Sequence, residues 1–197
     1  MPEEIRPGLW RWTAPHPEWQ PFHEDGTPRD WQRDVGCVLY AAAGRAIFID
    51  PLAPDGNPDF WRWADERCAG NEVVVLETIP YHRRSRDEFV SRYGASTAVP
   101  QGDVAAHPLQ AFEETVYWIT EHRALVPGDV VLGSGGGELC LCPDHWLDDF
   151  EPRPSLSDLR DALEPLAALG PELVLVSHGE PVLSDAGAAL RRALRPT

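Results

Sequence analysis

The stretch that decides how this chain folds is V-V-V-L-E-T-I-P-Y-H-R-R-S-R-D-E-F, residues Val73 to Phe89. Its first four residues are apolar and predict a buried strand that ends at Leu76. His82 follows that strand end and has two arginines directly after it. A polar residue just past an apolar strand lies at the edge of a sheet, where loops converge and ligands bind. The stretch therefore predicts a sheet edge that carries one imidazole and two guanidinium groups.

Two further strand ends carry polar residues of compatible type. Asp129 lies in A-L-V-P-G-D-V-V-L-G, and His178 lies in L-V-L-V-S-H-G-E-P. A single histidine at a strand end is more often a hydrogen-bonded structural group than a ligand. Because His82, Asp129 and His178 each lie near glycine or proline at a strand end, we expect them to share one site.

Composition limits the classes of partner. The 197 residues predict one domain over positions 1–197. A formal net charge of -15 marks an acidic protein and argues against nucleic acid and anionic membranes, which need clustered Lys and Arg. The start of the chain shows no basic stretch followed by an apolar one, and no run of about 18 apolar residues occurs. The prediction is a soluble cytoplasmic protein with a small-molecule partner; its oligomeric state is left open.

The four cysteines do not predict a structural zinc site. Cys37, Cys68, Cys140 and Cys142 are spread along the chain without paired C-x-x-C motifs. The simplest interpretation of Cys37 and Cys68 is that they are small core residues. A soft-metal or redox role stays open for Cys140 and Cys142, which alternate along a predicted strand.

Hydrophobic periodicity predicts alternating strands and helices. Strands are predicted at Leu9 to Thr13, Val35 to Ala41, Arg45 to Ile49, Glu72 to Leu76, Thr97 to Val99, Thr115 to Thr120, Arg123 to Val126 and Leu173 to Ser177. Helices are predicted at Pro58 to Ala69, Ser85 to Tyr93, Leu156 to Leu169 and Leu183 to Leu194.

Local signals set the boundaries between these elements. Short polar links at Ala43-Gly44 and Glu121-His122 predict hairpins. Ser155 with Asp158 predicts a capped helix start, and Gly170-Pro171 predicts that helix's end. The glycine-rich run Gly133 to Gly137 lacks the Lys of a phosphate-binding loop and predicts a flexible turn.

Three segments together resemble the metallo-beta-lactamase superfamily. They are G-C-V-L-Y-A-A-A-G-R-A-I-F-I-D-P at 36–51, V-P-G-D-V-V-L-G at 126–133 and V-L-V-S-H-G-E-P at 174–181. The resemblance covers nearly the whole chain. It implies the α/β class, a four-layer αβ/βα sandwich of two mixed sheets flanked by helices. It also implies His82, Asp129 and His178 as metal ligands, with Asp50 behind them to orient a histidine or, alternatively, to cap the turn at Pro51.

The chain departs from the family pattern where most metal ligands should be. Active members usually carry His-x-His-x-Asp-His after the strand that here ends at Leu76. If His82 takes the second histidine, the other positions hold Pro80, Arg84 and Ser85; aligning on Thr78 instead loses His82 as well. A further family histidine falls at Gln110 or Ala111, where the nearby side chains that could substitute are His107, Glu113 and Glu114. Gln110, Glu114 and His145 are candidate pocket residues.

The remaining ligands suffice for one ion and not for two. A catalytic zinc needs about three protein ligands and an open position, and a paired site needs a second such set. Two histidines and one carboxylate can hold a single ion. The neighbouring positive charges of Arg83 and Arg84 oppose it. We therefore expect Arg84 or Arg83 to pair with Asp129 in place of a cation; the alternative is that both arginines simply begin a solvated helix.

Two functions follow from this ligand count. The first is a protein of this fold with an incomplete metal site, metal-free or weakly metal-binding and of reduced or no hydrolytic activity, with Asp129 and Arg84 as its central pair. The alternative is a hydrolase of a small ester, lactone or thioester that uses a single zinc, iron or manganese ion. The chain lacks a G-x-S-x-G motif, which disfavours a serine hydrolase.

Overall fold

The computed structural model describes residues 1–23, 25–42 and 44–196, and it falls into two compact units. Unit 1 comprises Met1–Leu76 with Arg83–Ala98, and unit 2 comprises Glu77–His82 with Val99–Thr197. Each unit has its own sheet and helices. A single domain over 1–197 stays a prediction.

Unit 1 is built on a five-stranded mixed sheet. Its strands follow the chain in order: β1 (Glu3–Arg6), β2 (Leu9–Pro15), β3 (Asp34–Ala42), β4 (Arg45–Ile49) and β5 (Glu72–Leu76). All neighbouring pairs are antiparallel except β4 and β5, which are parallel and are joined through helix α1 (Pro58–Cys68). Helix α2 (Arg86–Tyr93) follows β5. Two parallel strands run in the same direction, so the chain must return from the end of the first to the start of the second. That return needs a crossover such as a helix, which a tight turn cannot replace.

Aromatic side chains fill the core of unit 1. Phe48, Phe60 and Phe89 are fully buried, and the ring centroids of Phe48 and Phe89 lie 4.7 Å apart. Trp12 packs on Phe60 at 5.4 Å and donates its indole N–H to the Leu52 carbonyl at 2.9 Å. Each such aromatic pair adds about 1 kcal/mol to the free energy of unfolding beyond its buried area.

Unit 2 contains a four-stranded mixed sheet and a separate hairpin. The sheet orders its strands β11-β8-β7-β6, with the ranges β6 (Val104–Leu109), β7 (Glu114–Ile119), β8 (Ala124–Val126) and β11 (Leu173–Val174). β8 and β11 are parallel. The hairpin pairs β9 (Val131–Gly135) with β10 (Glu138–Leu141). Helices α3 (Leu156–Ala168) and α4 (Ala186–Ala193) complete the unit, and Leu159, Leu163 and Leu166 of α3 are buried in its core.

Most predicted elements are present, with boundary shifts. β4 and β5 match their predicted ranges, and the antiparallel hairpins β3–β4 and β7–β8 are confirmed, although Ala43 of the first link lies outside the described residues. The strand predicted at Leu173 to Ser177 ends at Val174, and the helix predicted from Leu183 begins at Ala186. The described part of the chain has four α-helices, each at a predicted place.

One predicted strand is wrong, and one predicted turn is right only in part. Thr97 to Val99 forms no strand, because the contact with β5 is a single bridge from Ser96 to Val74. The run from Gly133 is the end of β9 rather than only a flexible turn. Gly133 donates its N–H to the His178 carbonyl at 3.0 Å, and a Cβ there would collide with the Glu180 backbone. Glycine is required because the two backbones touch.

The cysteines are free thiols. Cys37, Cys68 and Cys142 are buried and Cys140 is half-buried. Burial raises the pKa of the Cys37 thiol to about 11 and that of Cys68 to about 12. The interpretation of Cys37 and Cys68 as core residues is confirmed by their burial.

None of the helices within the described ranges is long and apolar enough to cross a bilayer.

Helix α3 begins at the predicted cap. The Ser155 Oγ accepts the Asp158 N–H at 3.2 Å, and the Asp158 carboxylate accepts the Ser155 N–H at 2.8 Å. This reciprocal capping box satisfies two N–H groups that the helix itself leaves without partners.

Ser155→Ala should lower the free energy of unfolding by about 1 kcal/mol, because the Asp158 N–H loses its acceptor. The measurement is the urea midpoint followed by circular dichroism. The matched control is Ser157→Ala in the first turn of the same helix. It replaces an exposed serine with a better helix former and should not lower the free energy of unfolding. Equal urea midpoints for the two variants would contradict the capping role.

Candidate metal site

Three side chains from separate parts of unit 2 meet around one point. The Asp129 Oδ1 lies 3.1 Å from the His82 Nε2 and 3.3 Å from the His178 Nε2. One ligand atom from each residue lies within 4.8 Å of the others. The sequence predicted that these three strand-end residues share a site, and the structure brings them together.

The local fold places each of the three. His82 lies on the 3-10 helix Pro80–Arg83 that follows β5, Asp129 lies in the turn between β8 and β9, and His178 follows β11. Both histidines are buried, at 3% and 8% exposure, whereas the Asp129 side chain is 28% exposed. Solvent therefore reaches the site on the carboxylate side.

The two separations to the Asp129 oxygen fit a shared cation. Ligand atoms about 2.0 to 2.2 Å from a zinc ion lie roughly 2.9 Å apart at right angles and about 3.4 Å apart at the tetrahedral angle. The two measured distances, 3.1 and 3.3 Å, fall in that interval. Two imidazoles and one carboxylate are also ligands that zinc, iron and manganese accept. The donor set therefore fits one divalent ion.

The imidazoles also set the charge of Asp129. Burial alone would raise the pKa of this carboxyl, but His82 and His178 outweigh burial and hold the pKa of Asp129 well below its ordinary value. The carboxylate is therefore ionised across the physiological range. An ionised carboxylate is the form that binds a cation.

A buried threonine fixes the ring of His82. The Thr78 Oγ1 lies 2.9 Å from the His82 Nδ1, and Thr78 is only 2% exposed. Its backbone is held in turn, because the Thr78 carbonyl accepts the Thr115 N–H at 2.7 Å. In the sequence, Thr78 stands out only as an alternative position on which to align the family motif. The spacing of four residues between Thr78 and His82 is the signal that could have identified the contact.

Glu114 holds the turn that carries Asp129. Its Oε1 accepts the Gly128 N–H at 2.8 Å, and its Oε2 accepts the N–H groups of Asp129 at 2.6 Å and Val130 at 3.0 Å. Burial and the nearby Asp129 carboxylate raise the pKa of Glu114 to about 7, while the three N–H donors oppose that rise. The sequence placed Glu114 among candidate pocket residues; the structure shows it buried, at 2% exposure, with its carboxylate on the backbone of the turn that carries Asp129.

One aromatic side chain, Trp146, lies beside His178. The ring centroids of Trp146 and His178 are 6.2 Å apart, with the planes at 77°. Trp146 lies on the 3-10 helix Asp144–Leu147. Arg153 stabilises that helix by ion pairs of 2.7 Å with both Asp144 and Asp148. His145, a candidate pocket residue, is exposed on the same helix.

The two arginines after His82 have partners within unit 1. Arg83 is exposed and pairs with Asp87 at 2.6 Å, as the solvated-helix alternative expects. The Arg84 Nη1 donates to the carbonyls of Gly36 at 2.9 Å and Asp50 at 3.0 Å. Pairing of Arg84 with Asp129 stays a prediction.

Two other sequence candidates have defined places. Asp50 is buried at the end of β4 and donates its N–H to the Leu76 carbonyl at 3.0 Å; its support of a metal ligand stays a prediction. Gln110 is exposed at the start of the 3-10 helix Gln110–Phe112.

Solved structures with the same fold are metallo-beta-lactamases. The enzyme from Hirschia baltica matches with a TM-score of 0.58 and 11% identity, over 100% of this chain and 98% of that one. DIM-1 exposed to ceftazidime matches with a TM-score of 0.56 and 11% identity, over 98% and 97% of the two chains. FIM-1 from Pseudomonas aeruginosa in its mono-zinc form matches with a TM-score of 0.54 and 12% identity, over 100% and 96%.

Comparison by sequence gives no match, either to protein-family models or to curated proteins. The structural matches cover nearly the whole chain, so the protein has the metallo-beta-lactamase fold. The fold that the resemblance implies and the α/β class predicted from sequence are confirmed.

Glu114→Gln should destabilise the protein by about 1 to 3 kcal/mol. An amide NH₂ in place of one carboxylate oxygen leaves a buried backbone N–H facing a donor. The free energy of unfolding from urea titration measures the loss.

Glu113→Gln is the matched control, since it makes the same chemical change at the neighbouring exposed residue. It should leave the unfolding midpoint nearly unchanged. If both variants unfold at the same urea concentration as the wild type, Glu114 does not hold the turn.

Proposed function

We propose that this protein is a metal-dependent hydrolase that holds one divalent ion on His82, Asp129 and His178 and acts on a small ester, lactone or thioester. The observation that carries the proposal is the convergence of these ligand atoms at 3.1 and 3.3 Å. Three protein ligands leave coordination positions open, as a catalytic site requires. A divalent ion there would polarise a carbonyl oxygen and lower the pKa of water.

The residues around the site support this chemistry. Ionised Asp129 supplies one negative charge between two imidazoles, so a divalent ion leaves the site net positive and suited to an oxygen that gains negative charge. Trp146 covers one side of His178 with apolar surface. Tyr81, the residue before His82, is 78% exposed, so its aromatic ring lies in solvent. These two aromatic side chains suit a substrate with an apolar part.

Two further observations agree with a single ion and a small substrate. FIM-1, which shares the fold, has been solved in a mono-zinc form, so one zinc is compatible with this architecture. The net charge of -15 disfavours nucleic acid as a substrate. A cytoplasmic location belongs to this proposal as well.

The other function predicted from sequence is a metal-free or weakly metal-binding protein with reduced or no hydrolytic activity. It would have Arg84 neutralise Asp129 and would leave the cleft as a ligand-binding site. The geometry favours the single-ion hydrolase, because imidazole nitrogens flank the Asp129 carboxylate. Metal analysis separates the two functions.

Protein purified without chelator should contain about one equivalent of zinc, iron or manganese. Stripping the ion should abolish hydrolysis of generic ester and lactone substrates, and returning it should restore turnover. His178→Ala should lower metal affinity at least tenfold and remove the restored activity, because it deletes one of three ligands. Elemental analysis and turnover assays measure both effects.

His23→Ala is the matched control, since it removes a histidine of unit 1 whose side chain is 39% exposed. Its metal content and turnover should equal those of the wild type. A wild-type protein that takes up no ion at micromolar concentrations would instead support the metal-free function.

A further inference from the structure

We propose that unit 1 carries a binding site of its own, for a free α-amino acid with an apolar side chain. The site is a cavity of about 230 Å³, and its wall is formed by Pro15 and Pro17, residues 52–56, Trp61 on α1 and the residues that start α2. None of the three candidate metal ligands is among the residues that line it. Binding there therefore goes beyond the proposed hydrolase and does not depend on it.

The size of the cavity limits the ligand. Pockets for drug-sized molecules have volumes of about 300 to 1,000 Å³, and this cavity is smaller, at about 230 Å³. At about 30 Å³ for each water molecule it has the room of roughly eight waters, which suits a ligand of about ten non-hydrogen atoms. Leucine and phenylalanine are molecules of this size.

Arg84 and Ser85 give the cavity a place for a carboxylate. Arg84 is the one cationic side chain among the described residues that line it. The Arg84 Nη1 donates to the carbonyls of Gly36 at 2.9 Å and Asp50 at 3.0 Å, so the guanidinium is fixed before a ligand arrives. The Ser85 Oγ accepts the Ala53 N–H at 3.0 Å and keeps its hydroxyl proton to donate. A guanidinium and a hydroxyl donor match a carboxylate, whose oxygens only accept.

Two acidic side chains line the same cavity and suit an ammonium group. Asp55 precedes α1, and Glu88 lies in the first turn of α2; both are exposed. Among the residues that the structure describes, neither carboxylate has an ion-pair partner. Together with Arg84 they give the wall one positive and two negative charges. A wall of this charge repels a phosphate and attracts a ligand that carries an ammonium group.

Apolar surface forms another part of the wall. Pro15, Leu52 and Trp61 contribute to it. The Trp61 ring is held by Phe89, with ring centroids 5.0 Å apart, and by the Arg92 guanidinium, 4.8 Å from the ring centroid. An aromatic ring that is already fixed can bind an apolar side chain without losing its own conformational freedom.

An α-amino acid uses all of these features, whereas simpler ligands do not. A wholly apolar ligand would remove Arg84 and Ser85 from water without giving them an acceptor. A simple carboxylic acid would satisfy them but would meet the charges of Asp55 and Glu88, and a simple amine would meet the charge of Arg84. An amino acid pairs its carboxylate with Arg84 and its ammonium group with the acidic side chains, and it packs its apolar side chain on Trp61.

The direct test is isothermal titration calorimetry of the wild type with L-phenylalanine and L-leucine at about pH 7, where both amino acids are zwitterions. Two matched ligands each lack one charge: phenylpropionate has no ammonium group, and phenethylamine has no carboxylate. Phenylalanine should bind with a Kd below about 1 mM, and each matched ligand should bind at least about tenfold more weakly. The absence of binding by both amino acids up to about 10 mM would overturn the proposal. So would a matched ligand that binds as tightly as phenylalanine.

Variants assign the binding to this cavity. Glu88→Gln removes one negative charge from the wall and keeps the shape of the side chain. It should weaken the binding of phenylalanine about tenfold and should not weaken that of phenylpropionate, because only the amino acid has an ammonium group. Glu3→Gln makes the same change at an exposed residue of β1 and should alter neither affinity. Unchanged phenylalanine affinity in Glu88→Gln, or an equal loss for both ligands, would contradict the assignment.

Arg84→Gln tests the place for the carboxylate. It should weaken the binding of phenylalanine and phenylpropionate about tenfold or more and spare that of phenethylamine, which has no carboxylate. Equal phenylalanine affinity in a folded Arg84→Gln would contradict the role of Arg84. Because this arginine also holds two backbone carbonyls, the variant can fail to fold; the wild-type titrations and Glu88→Gln, at an exposed side chain, still decide the proposal.

The amino-acid site and the hydrolase fail independently. Chelator-treated wild type should bind phenylalanine as tightly as protein with one equivalent of zinc, because no candidate metal ligand lines the cavity. Loss of phenylalanine binding on removal of the ion would overturn the assignment to this cavity. A protein that binds zinc but no amino acid would leave the hydrolase standing and remove the site in unit 1.

Discussion

The candidate metal site depends on a buried carboxylate that holds the backbone of the site and is not one of its three candidate ligands. Glu114 begins β7 and accepts three consecutive backbone N–H groups from Gly128 to Val130, in the turn between β8 and β9. Each of these hydrogen bonds contributes about 0.5 to 1.5 kcal/mol when the Glu114 carboxyl is neutral and about 1.5 to 3 kcal/mol when it is ionised, and together they determine where the Asp129 backbone lies. The Asp129 side chain can meet two imidazoles from distant segments only because this turn is fixed. Gly128 is required there, since a Cβ would lie 2.7 Å from the Thr78 Oγ1 and 3.0 Å from the Glu114 Oε2.

Each of the three candidate ligands is held by a different kind of neighbour. Thr78 supports His82 through a hydroxyl, Glu114 supports Asp129 through its backbone, and Trp146 lies against the ring of His178. The segment of His178 is also held by the close backbone approach at Gly133. Supports of this kind tune metal affinity because they reduce the freedom that ligands lose on binding. They also bring the carboxylates of Glu114 and Asp129 near each other, and a bound cation would offset the mutual repulsion that raises the pKa of Glu114.

The sequence predicted best where a strong local pattern and the tertiary contacts agree. β4 and β5 match their predicted ranges because both are continuous apolar runs between polar residues. The cap at Ser155 was predictable because both of its partners lie within one helical turn. β6 (Val104–Leu109) was not predicted, because only its two ends are buried and its sequence V-A-A-H-P-L shows no alternation. The role of Glu114 in holding the turn was harder to predict, because its hydrogen-bond partners lie 14 to 16 residues away in the sequence. Its charge alone suggests a residue that lines a pocket.

The sequence predicted which three side chains meet better than it predicted the charge around them. Arg84 shows why. Its position two residues after His82 suggested a permanent positive charge that opposes a cation. In unit 1 the guanidinium instead donates to the carbonyls of Gly36 and Asp50, and both Arg84 and Asp50 adopt positive φ angles, 40° and 50°. Backbone conformations of this kind cost about 1 to 3 kcal/mol each and persist only when surrounding contacts hold them. The carbonyl dipoles that hold Arg84 also offset part of its charge. Like-charge repulsion is therefore a weaker argument against an ion at His82, Asp129 and His178 than the linear sequence suggests.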